Sequence, residues 1–356
     1  VTLFIPSFNI DVFAQTTEIE QTQVDEVIRR VRFSGNRIVK DRTLENLVRT
    51  KTNREFLGIP RFTPWYFFHR VSNGRLGESP SLLDREVVTN DMERINLYYQ
   101  SLGYRDVFVD TTIVEYRENK IEVSFIIREG DPSRIETITY SGFPFKEEPA
   151  ERRRFFIQSE LTGLGINDSS FSVNRQYNAE ELKDEQLRII SFLRNNGFAS
   201  IERDSVIAFV RPDSLNPLNL HVLYQVNPGR TYKFGDIRVR LADPFPPNLY
   251  TDHRVIPSDI TDTDTLSLIL EKEANMDTRF SLLSDQILYK PGDVYNEELY
   301  LETVNEFQNL GNLYIRRFGQ SETSVRPDFS KSEIPTYFDL ETLTKHNIST
   351  EFFGMR

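Results

Sequence analysis

The sequence contains no cysteine. Structural disulfides, thiolate zinc sites, iron–sulfur clusters and a cysteine nucleophile are therefore excluded. The compartment stays open, because a chain without cysteine suits a reducing cytoplasm and an oxidising periplasm alike. Histidine is scarce as well: His69, His221, His253 and His346 lie far apart, which argues against a histidine-built metal or catalytic centre. No stretch approaches the roughly 18 uncharged apolar residues of a membrane-spanning helix. Positive charge is in deficit, with 43 Lys and Arg against 54 Asp and Glu and a net charge of −11. A chain of that balance repels nucleic acid and anionic lipid in bulk, so neither is an expected non-specific partner.

What is present suffices for packed cores: 27 Phe and 15 Tyr among 356 residues, with 38% hydrophobic residues overall. Such a composition does not describe a chain disordered along its length, and the length suits about two to three domains. Residues Val1–Gln15 are apolar but lack a basic start, and Pro6 and Asp11 interrupt them. They read either as the tail of a secretory signal, with Ala14 as the small residue near a cleavage point, or as an end that docks a few aromatics. Thr16–Asp25 is polar and reads as a linker.

The chain repeats itself three times, and a repeat governs the whole fold reading. Ile28-Arg-Arg-Val31-Arg-Phe33-Ser34-Gly35, Ile135-Glu-Thr-Ile138-Thr-Tyr140-Ser141-Gly142 and Phe234-Gly-Asp-Ile237-Arg-Val239-Arg-Leu241 all alternate apolar and polar residues. That is the period of a half-buried strand. A long amphipathic helix follows in each repeat. Val88, Met92, Ile95, Tyr99 and Leu102 share one helical face, as do Leu182, Ile189 and Leu193, and Tyr300, Val304 and Phe307. Each helix runs into a glycine (Gly103, Gly197, Gly311), the residue suited to a left-handed C-cap. Asn178 and Asn296 are expected N-caps, with Thr89 or Ser81 in that role for the first helix.

A shorter first helix is expected at Asp41–Thr50, Pro149–Thr162 and Thr278–Tyr289. Two alternating strands close each repeat: Val107–Glu115 with Ile121–Ile127, Ile201–Val210 with Leu218–Val226, and Leu313–Val325 with Ile334–Leu340. Insertions occupy Leu57–Ser81, Gly163–Val173 and Ala242–Thr265. The first holds Trp65, Tyr66, Phe67 and Phe68, read as packing on their own domain, with a binding platform or interfacial anchor as the alternative.

Motifs for chemistry are missing. Gly163-Leu164-Gly165 lacks the third glycine of a dinucleotide loop, and no Gly-Lys-Ser/Thr phosphate loop occurs. Asp259, Asp262 and Asp264 lack the glycine and glutamate of a calcium loop and read as a solvated acidic stretch. No catalytic residue, metal ligand or cofactor is predicted, and the expectation is a protein that is not an enzyme.

The order strand–helix–helix–strand–strand resembles the POTRA domain, the polypeptide-transport-associated module. Phe33-Ser34-Gly35-Asn36, Tyr98-Tyr99-Gln100-Ser101-Leu102-Gly103-Tyr104 and Arg128-Glu129-Gly130 carry the likeness, which spans about Asp25 to Leu343. Three tandem modules look like the soluble arm of an outer-membrane protein of the BamA/TamA type, and the count leans toward TamA. The resemblance implies an α+β fold of three β-α-α-β-β modules, each a three-stranded mixed sheet covered by two helices on one face. The divisions are residues 1–26 as signal remnant or linker, 27–131, 132–229 and 230–344 as modules, and 345–356 as linker or first barrel strand. The membrane barrel itself is absent from this chain and is expected C-terminal to it, with Asn347–Arg356 alternating like a first barrel strand, so the sequence reads as a piece of a longer protein.

The resemblance further implies a periplasmic arm at the outer membrane that binds unfolded outer-membrane protein clients and a partner protein of the assembly machinery. In such a module the closing strand is central, so the first and second strands are margins able to pair with an extended client. The second strands are the expected binding sites, through the backbone of Val107, Phe108, Val109, Thr111 and Ile113, of Ile201, Ser205, Ile207 and Phe209, and of Tyr314, Arg316 and Phe318. Gly130 with Pro132, and Pro228 with Gly229, are expected hinges. The alternative is a scaffold that docks one partner and handles no clients.

Overall fold

The structure is a computed structural model that describes residues 26–53, 64–73, 75–117, 119–145, 149–162, 170–242, 250–260, 265–273, 276–321 and 326–343. The readings of Val1–Gln15, Thr16–Asp25, Asp262, Asp264 and Asn347–Arg356 lie outside these residues. The chain forms two compact units whose main division falls at Asp131/Pro132, with Ser101–Gly103 belonging to the second.

The first unit holds β1 (Val27–Ser34), α1 (Asp41–Leu47), α2 (Pro64–Val71), α3 (Arg85–Ser101), β2 (Phe108–Arg117) and β3 (Lys120–Arg128). Its sheet runs β1-β3-β2, with β3 central, parallel to β1 and antiparallel to β2. Alternation along β3 buries Ile121, Val123, Phe125 and Ile127. Leu44 of α1 and Val88, Ile95 and Tyr99 of α3 are buried with them.

The second unit contains two further sheets. One is built from β4 (Arg134–Ser141), α4 (Pro149–Ile157), β5 (Ser170–Gln176), α5 (Ala179–Arg194), β6 (Val206–Pro212) and β7 (Asn219–Val226). The other is built from β8 (Lys233–Ala242), β9 (Tyr250–Ile260), β10 (Thr265–Glu273), α6 (Phe280–Ser284), α7 (Glu297–Asn309), β11 (Leu313–Gly319) and β12 (Glu333–Thr342). Their orders are β5-β4-β7-β6 and β11-β12-β8-β10-β9. The repeated core is the same in all three sheets. The first strand runs parallel to the last, and the last runs antiparallel to the one before it. The fold is α+β with three mixed sheets, and no described helix is long and apolar enough to cross a membrane.

The expectation of three strands in every sheet is corrected. Only the first sheet has three; the second has four and the third five. The insertions and the residues directly after them supply the extra strands. β5 pairs along β4, and β10 with β9 extends the sheet beyond β8. The first strands of the second and third sheets are therefore not margins. A strand laid beside β4 or β8 satisfies backbone groups that would otherwise face water.

The serine–glycine pair after the first strand has a steric cause. Gly35 has φ +83° and Gly142 has φ +78°, in the left-handed region. A Cβ on Gly35 would lie 2.0 Å from the carbonyl oxygen of Ile127, and one on Gly142 would lie 2.0 Å from that of Val226. At both positions the chain turns off the first strand against the end of the central strand, where only glycine fits.

A second repeated device joins the two main helices of each module. Asp91, Glu185 and Thr303 occupy matching places on α3, α5 and α7, and all three are buried. Asp91 accepts the backbone N–H of Arg49 at 2.8 Å and of Thr50 at 2.7 Å, just past α1, and also pairs with Arg94. Glu185 accepts the Ser159 hydroxyl at 3.1 Å, just past α4, the Tyr140 hydroxyl at 2.7 Å, and the Arg188 guanidinium at 2.7 Å. The Thr303 hydroxyl accepts the N–H of Leu288 at 3.2 Å, beyond α6. One polar side chain per module thus catches the exit of the first helix and holds it against the second.

The caps are partly as expected. Asn178 Oδ1 accepts from Glu180 N, and Asn296 Oδ1 from Leu299 N. The first helix differs: Asp84 Oδ1 takes the N–H groups of Glu86 and Val87, while the Thr89 hydroxyl donates to the Arg85 carbonyl. Asp84 lies beside the first turn, whereas Thr89 lies inside the helix and Ser81 too far before it.

Candidate functional site at the outer strands

The second strand of each module lies at the end of its sheet with one strand neighbour: β2, β6 and β11. These margins differ in how far they are blunted. β11 carries a register shift between Ile315 and Arg317, with Arg316 at the irregularity. β6 is seven residues long and ends in Arg211 and Pro212. Charge, bulges and proline are the usual devices that discourage further pairing. β2 is ten residues long, and its register with β3 is unbroken from Phe108 to Glu115, the shift falling only between Glu115 and Arg117.

Along β2 the side chains divide by face. Val109 is buried and Thr111 and Ile113 are half-buried, on the helix side, whereas Phe108, Asp110, Thr112 and Val114 are exposed. The guanidinium of Arg128, the cross-strand partner of Phe108, sits 4.4 Å from the centre of its ring. That cation–π contact ties the Phe108 ring to β3. Phe108 and Ile126 of β3 are exposed as diagonal neighbours on the solvent face next to β2, while Val114 stands apart beyond Asp110 and Thr112. The other end of this sheet is less accessible, because Ile28 N donates to Ser81 O and Leu83 N to Glu26 O alongside β1.

The remaining predicted positions fall in several settings. Val107 is buried immediately before β2. Ile207 and Phe209 are exposed on β6, Tyr314 and Arg316 are exposed on β11, and Phe318 is half-buried there. Ile201 and Ser205 are not on the strand. Ile201 is buried and its carbonyl accepts from Arg194 Nε at 3.1 Å and Nη2 at 2.9 Å. Ser205 ends a single 3-10 turn and accepts the N–H of Glu202 at 3.2 Å. The alternation that suggests a strand from Ile201 is broken by this turn, which closes on Glu202.

Pro132 stands at the division between the two units, directly after Gly130 and Asp131. Pro228 and Gly229 lie inside the second unit, where other contacts join α5 to α7. Arg194 meets Glu297 at 3.1 Å. Asn195 Nδ2 donates to Glu298 Oε2 while Asn195 Oδ1 accepts from Glu298 N, both at 3.1 Å. Tyr232 N donates to Gly197 O at 2.7 Å. An open cleft of about 390 Å³ lies beside this joint, lined by Arg154, Gln158, Leu187, Ser191, Asn196 and Glu298 among others. It holds no nucleophile–base pair.

Glu136, Asp213 and His221 bring one ligand atom each within 4.8 Å of one another. Each already has protein partners. His221 Nδ1 is 2.8 Å from Thr137 Oγ1 and Nε2 is 3.2 Å from Asp213 Oδ2. Asp213 Oδ1 accepts the N–H groups of Leu215 and Asn216. Those backbone donors, with His221 behind them, hold the Asp213 carboxyl below its ordinary range. The cluster ties the β6–β7 turn to β4.

The preferred reading of the aromatic run in the first insertion is corrected. Trp65, Phe67 and Phe68 do not pack on their own domain; they lie exposed on α2.

Comparison with known proteins agrees with this topology. Residues 26–130 match the POTRA family, surface antigen variable number repeat. Among solved structures, POTRA modules 3–5 of BamA from Haemophilus influenzae are 15% identical, with 89% of this chain and 96% of that one covered and a TM-score of 0.37. The N-terminal domain of Omp85 from Thermosynechococcus elongatus is 14% identical over 90% and 98% of the two chains, with a TM-score of 0.27. POTRA modules 1–3 of Omp85 from Anabaena are 12% identical over 90% and 96%, with a TM-score of 0.26. The chain therefore carries a POTRA domain at residues 26–130, and the two sheets that follow repeat its strand order.

Proposed function

We propose that this chain is the periplasmic arm of an outer-membrane protein assembly or translocation factor, a binding module without catalytic chemistry. It captures extended clients by reversible strand addition, above all along β2. The observation that carries the reading is the contrast between β2 and its counterparts β6 and β11. β2 is long and keeps its register through Val109, Thr111 and Ile113, while β6 and β11 are shortened by proline, charge and a bulge.

The energetics suit the role. A client strand adding four or five backbone hydrogen bonds gains roughly 2–7 kcal/mol before ordering costs, at about 0.5–1.5 kcal/mol each. Binding of that strength is weak and reversible. It reads backbone rather than side chain, so one margin serves many clients. The exposed pair of Phe108 and Ile126 adds a preference for an apolar residue near the start of β2. A membrane β-barrel C-terminal to this chain completes the factor in this reading, and Gly130–Pro132 is the favoured hinge. The blunted margins of β6 and β11 favour the scaffold reading for the second and third modules, which then dock a single partner protein.

Photo-crosslinkers placed at Asp110 and Thr112 on β2, and at Arg316 on β11, separate the two roles. The proposal expects many extended outer-membrane clients from β2 and one dominant partner from β11. One dominant partner from every position leaves only the scaffold.

A further inference from the structure

A second surface stands apart from the sheet margins. Between Leu57 and Gly77 the sequence carries Arg61, Arg70 and Arg75 and no Asp or Glu, within a chain of net charge −11. Helix α2 lies in this segment. At 100° per residue, Pro64, Trp65, Phe67, Phe68 and Val71 fall on one arc and Arg70 falls outside it. That arc faces solvent: Trp65 is 43% exposed, Phe67 61%, Phe68 51% and Val71 68%.

The arrangement is a built one. The Phe68 ring lies 6.3 Å from that of Trp65 and 6.2 Å from that of Phe67. Glu78 N donates to Trp65 O at 3.0 Å, and the Ser72 hydroxyl both accepts from Leu76 N and donates to Leu76 O. Gly77, at φ +102°, lets the chain fold back, because a Cβ there would lie 2.1 Å from Trp65 O. The return of the chain over the helix backbone leaves the aromatic arc outward, with Leu76, 70% exposed, beyond it.

We infer that α2 lies on the surface of a lipid bilayer that contains anionic head groups. Trp65, Phe67, Phe68 and Val71 enter the boundary between head groups and acyl chains, and Arg70 and Arg75 meet the phosphates. Tryptophan and phenylalanine opposite arginine is the composition of an interfacial helix. The charge favours the same occupant. An acid-free, arginine-bearing aromatic stretch in an acidic chain complements a negative surface that the chain as a whole repels. The inference stands on α2 alone, so its failure leaves the reading of β2 untouched.

Trp65 is the only tryptophan in the chain, so its fluorescence reports this helix directly. The purified chain is mixed with vesicles of phosphatidylethanolamine and phosphatidylglycerol, and separately with vesicles of phosphatidylcholine. The expected result is a blue shift of Trp65 emission on the anionic vesicles, quenching by acyl-brominated lipid, and flotation with the vesicles. The partition coefficient should fall about tenfold or more on phosphatidylcholine or at high salt. A Phe67→Ser/Phe68→Ser variant keeps Trp65 and should lose a similar factor with an unchanged circular dichroism spectrum. An unshifted emission on every vesicle overturns the inference. So does flotation of the double variant equal to that of the parent, or capture of a soluble protein by α2 without lipid binding.

Discussion

Arg194 and Glu297 meet at 3.1 Å, joining the last turn of α5 to the first turn of α7. The same guanidinium donates twice to the Ile201 carbonyl, so one side chain links the second sheet's main helix, its exit loop and the third sheet's main helix. Ala199, which follows α5, is buried in the core of the third sheet. These contacts make the second joint a stitched one, although Pro228 and Gly229 read in sequence as a flexible turn.

Replacing Arg194 by Ala should loosen that joint. The pair is only partly exposed, and the Ile201 carbonyl loses both donors, so a cost of roughly 1–2 kcal/mol is expected. Spin labels on the second and third sheets should show a broader distance distribution in Arg194→Ala than in the parent chain. An unchanged distribution means that the remaining contacts hold the joint alone.

Asp91 is expected to matter far more than an average helical carboxylate. It accepts two backbone N–H groups and pairs with Arg94 while fully buried. Asp91→Ala strands those donors, which costs about 3–5 kcal/mol for a broken buried charged network. Glu185→Ala should do the same in the second module. Chemical denaturation, read by a probe in each module, checks that the loss is local to the mutated one.

Gly35→Ala and Gly142→Ala are equivalent tests of the repeat. Each forces a Cβ into a carbonyl oxygen 2.0 Å away at positive φ. Each should lower the stability of its own module by more than about 1 kcal/mol. Gly229→Ala also has positive φ, but its nearest contact is a serine hydroxyl at 3.4 Å, so it should cost less.

The chain should unfold readily in alkali. Burial pushes the phenols of Tyr140, Tyr224, Tyr289 and Tyr300 well above their ordinary value, and Tyr295 up to about 12. An acid whose folded pKa is raised keeps its full contribution below its free value of 10.0 and loses it as pH climbs toward the folded value. One unit above the free value, each such tyrosine withholds about 1.4 kcal/mol. Melting temperatures measured from pH 8 upward should therefore hold until about pH 10 and then fall steeply.

Much of this was legible from pattern alone. Period-2 runs such as Ile334, Thr336, Phe338 and Leu340 are buried at every second residue, and Asn178 and Asn296 cap their helices. What pattern does not carry is the choice of neighbour. Nothing in β5 or β10 announces that it will lie against β4 or β8, because pairing is decided by which backbone margin is near and unsatisfied. Asp91, Glu185 and Thr303 look like surface residues until the first helix is placed beside them. The site divides in the same way: β2 is readable from its alternation, but its advantage over β11 rests on a bulge that emerges only from the register.

Amide hydrogen exchange along β2 tests the central claim most directly. A peptide copied from an amphipathic outer-membrane strand is added to the chain, and protection is read at Phe108–Glu115, Val206–Pro212 and Leu313–Gly319. Strand addition predicts new protection at alternate amides of β2, weaker or none on β6 and β11, and its loss when Thr111→Pro removes an outward-facing donor and stiffens the margin. Protection that appears elsewhere, or that survives Thr111→Pro, contradicts it.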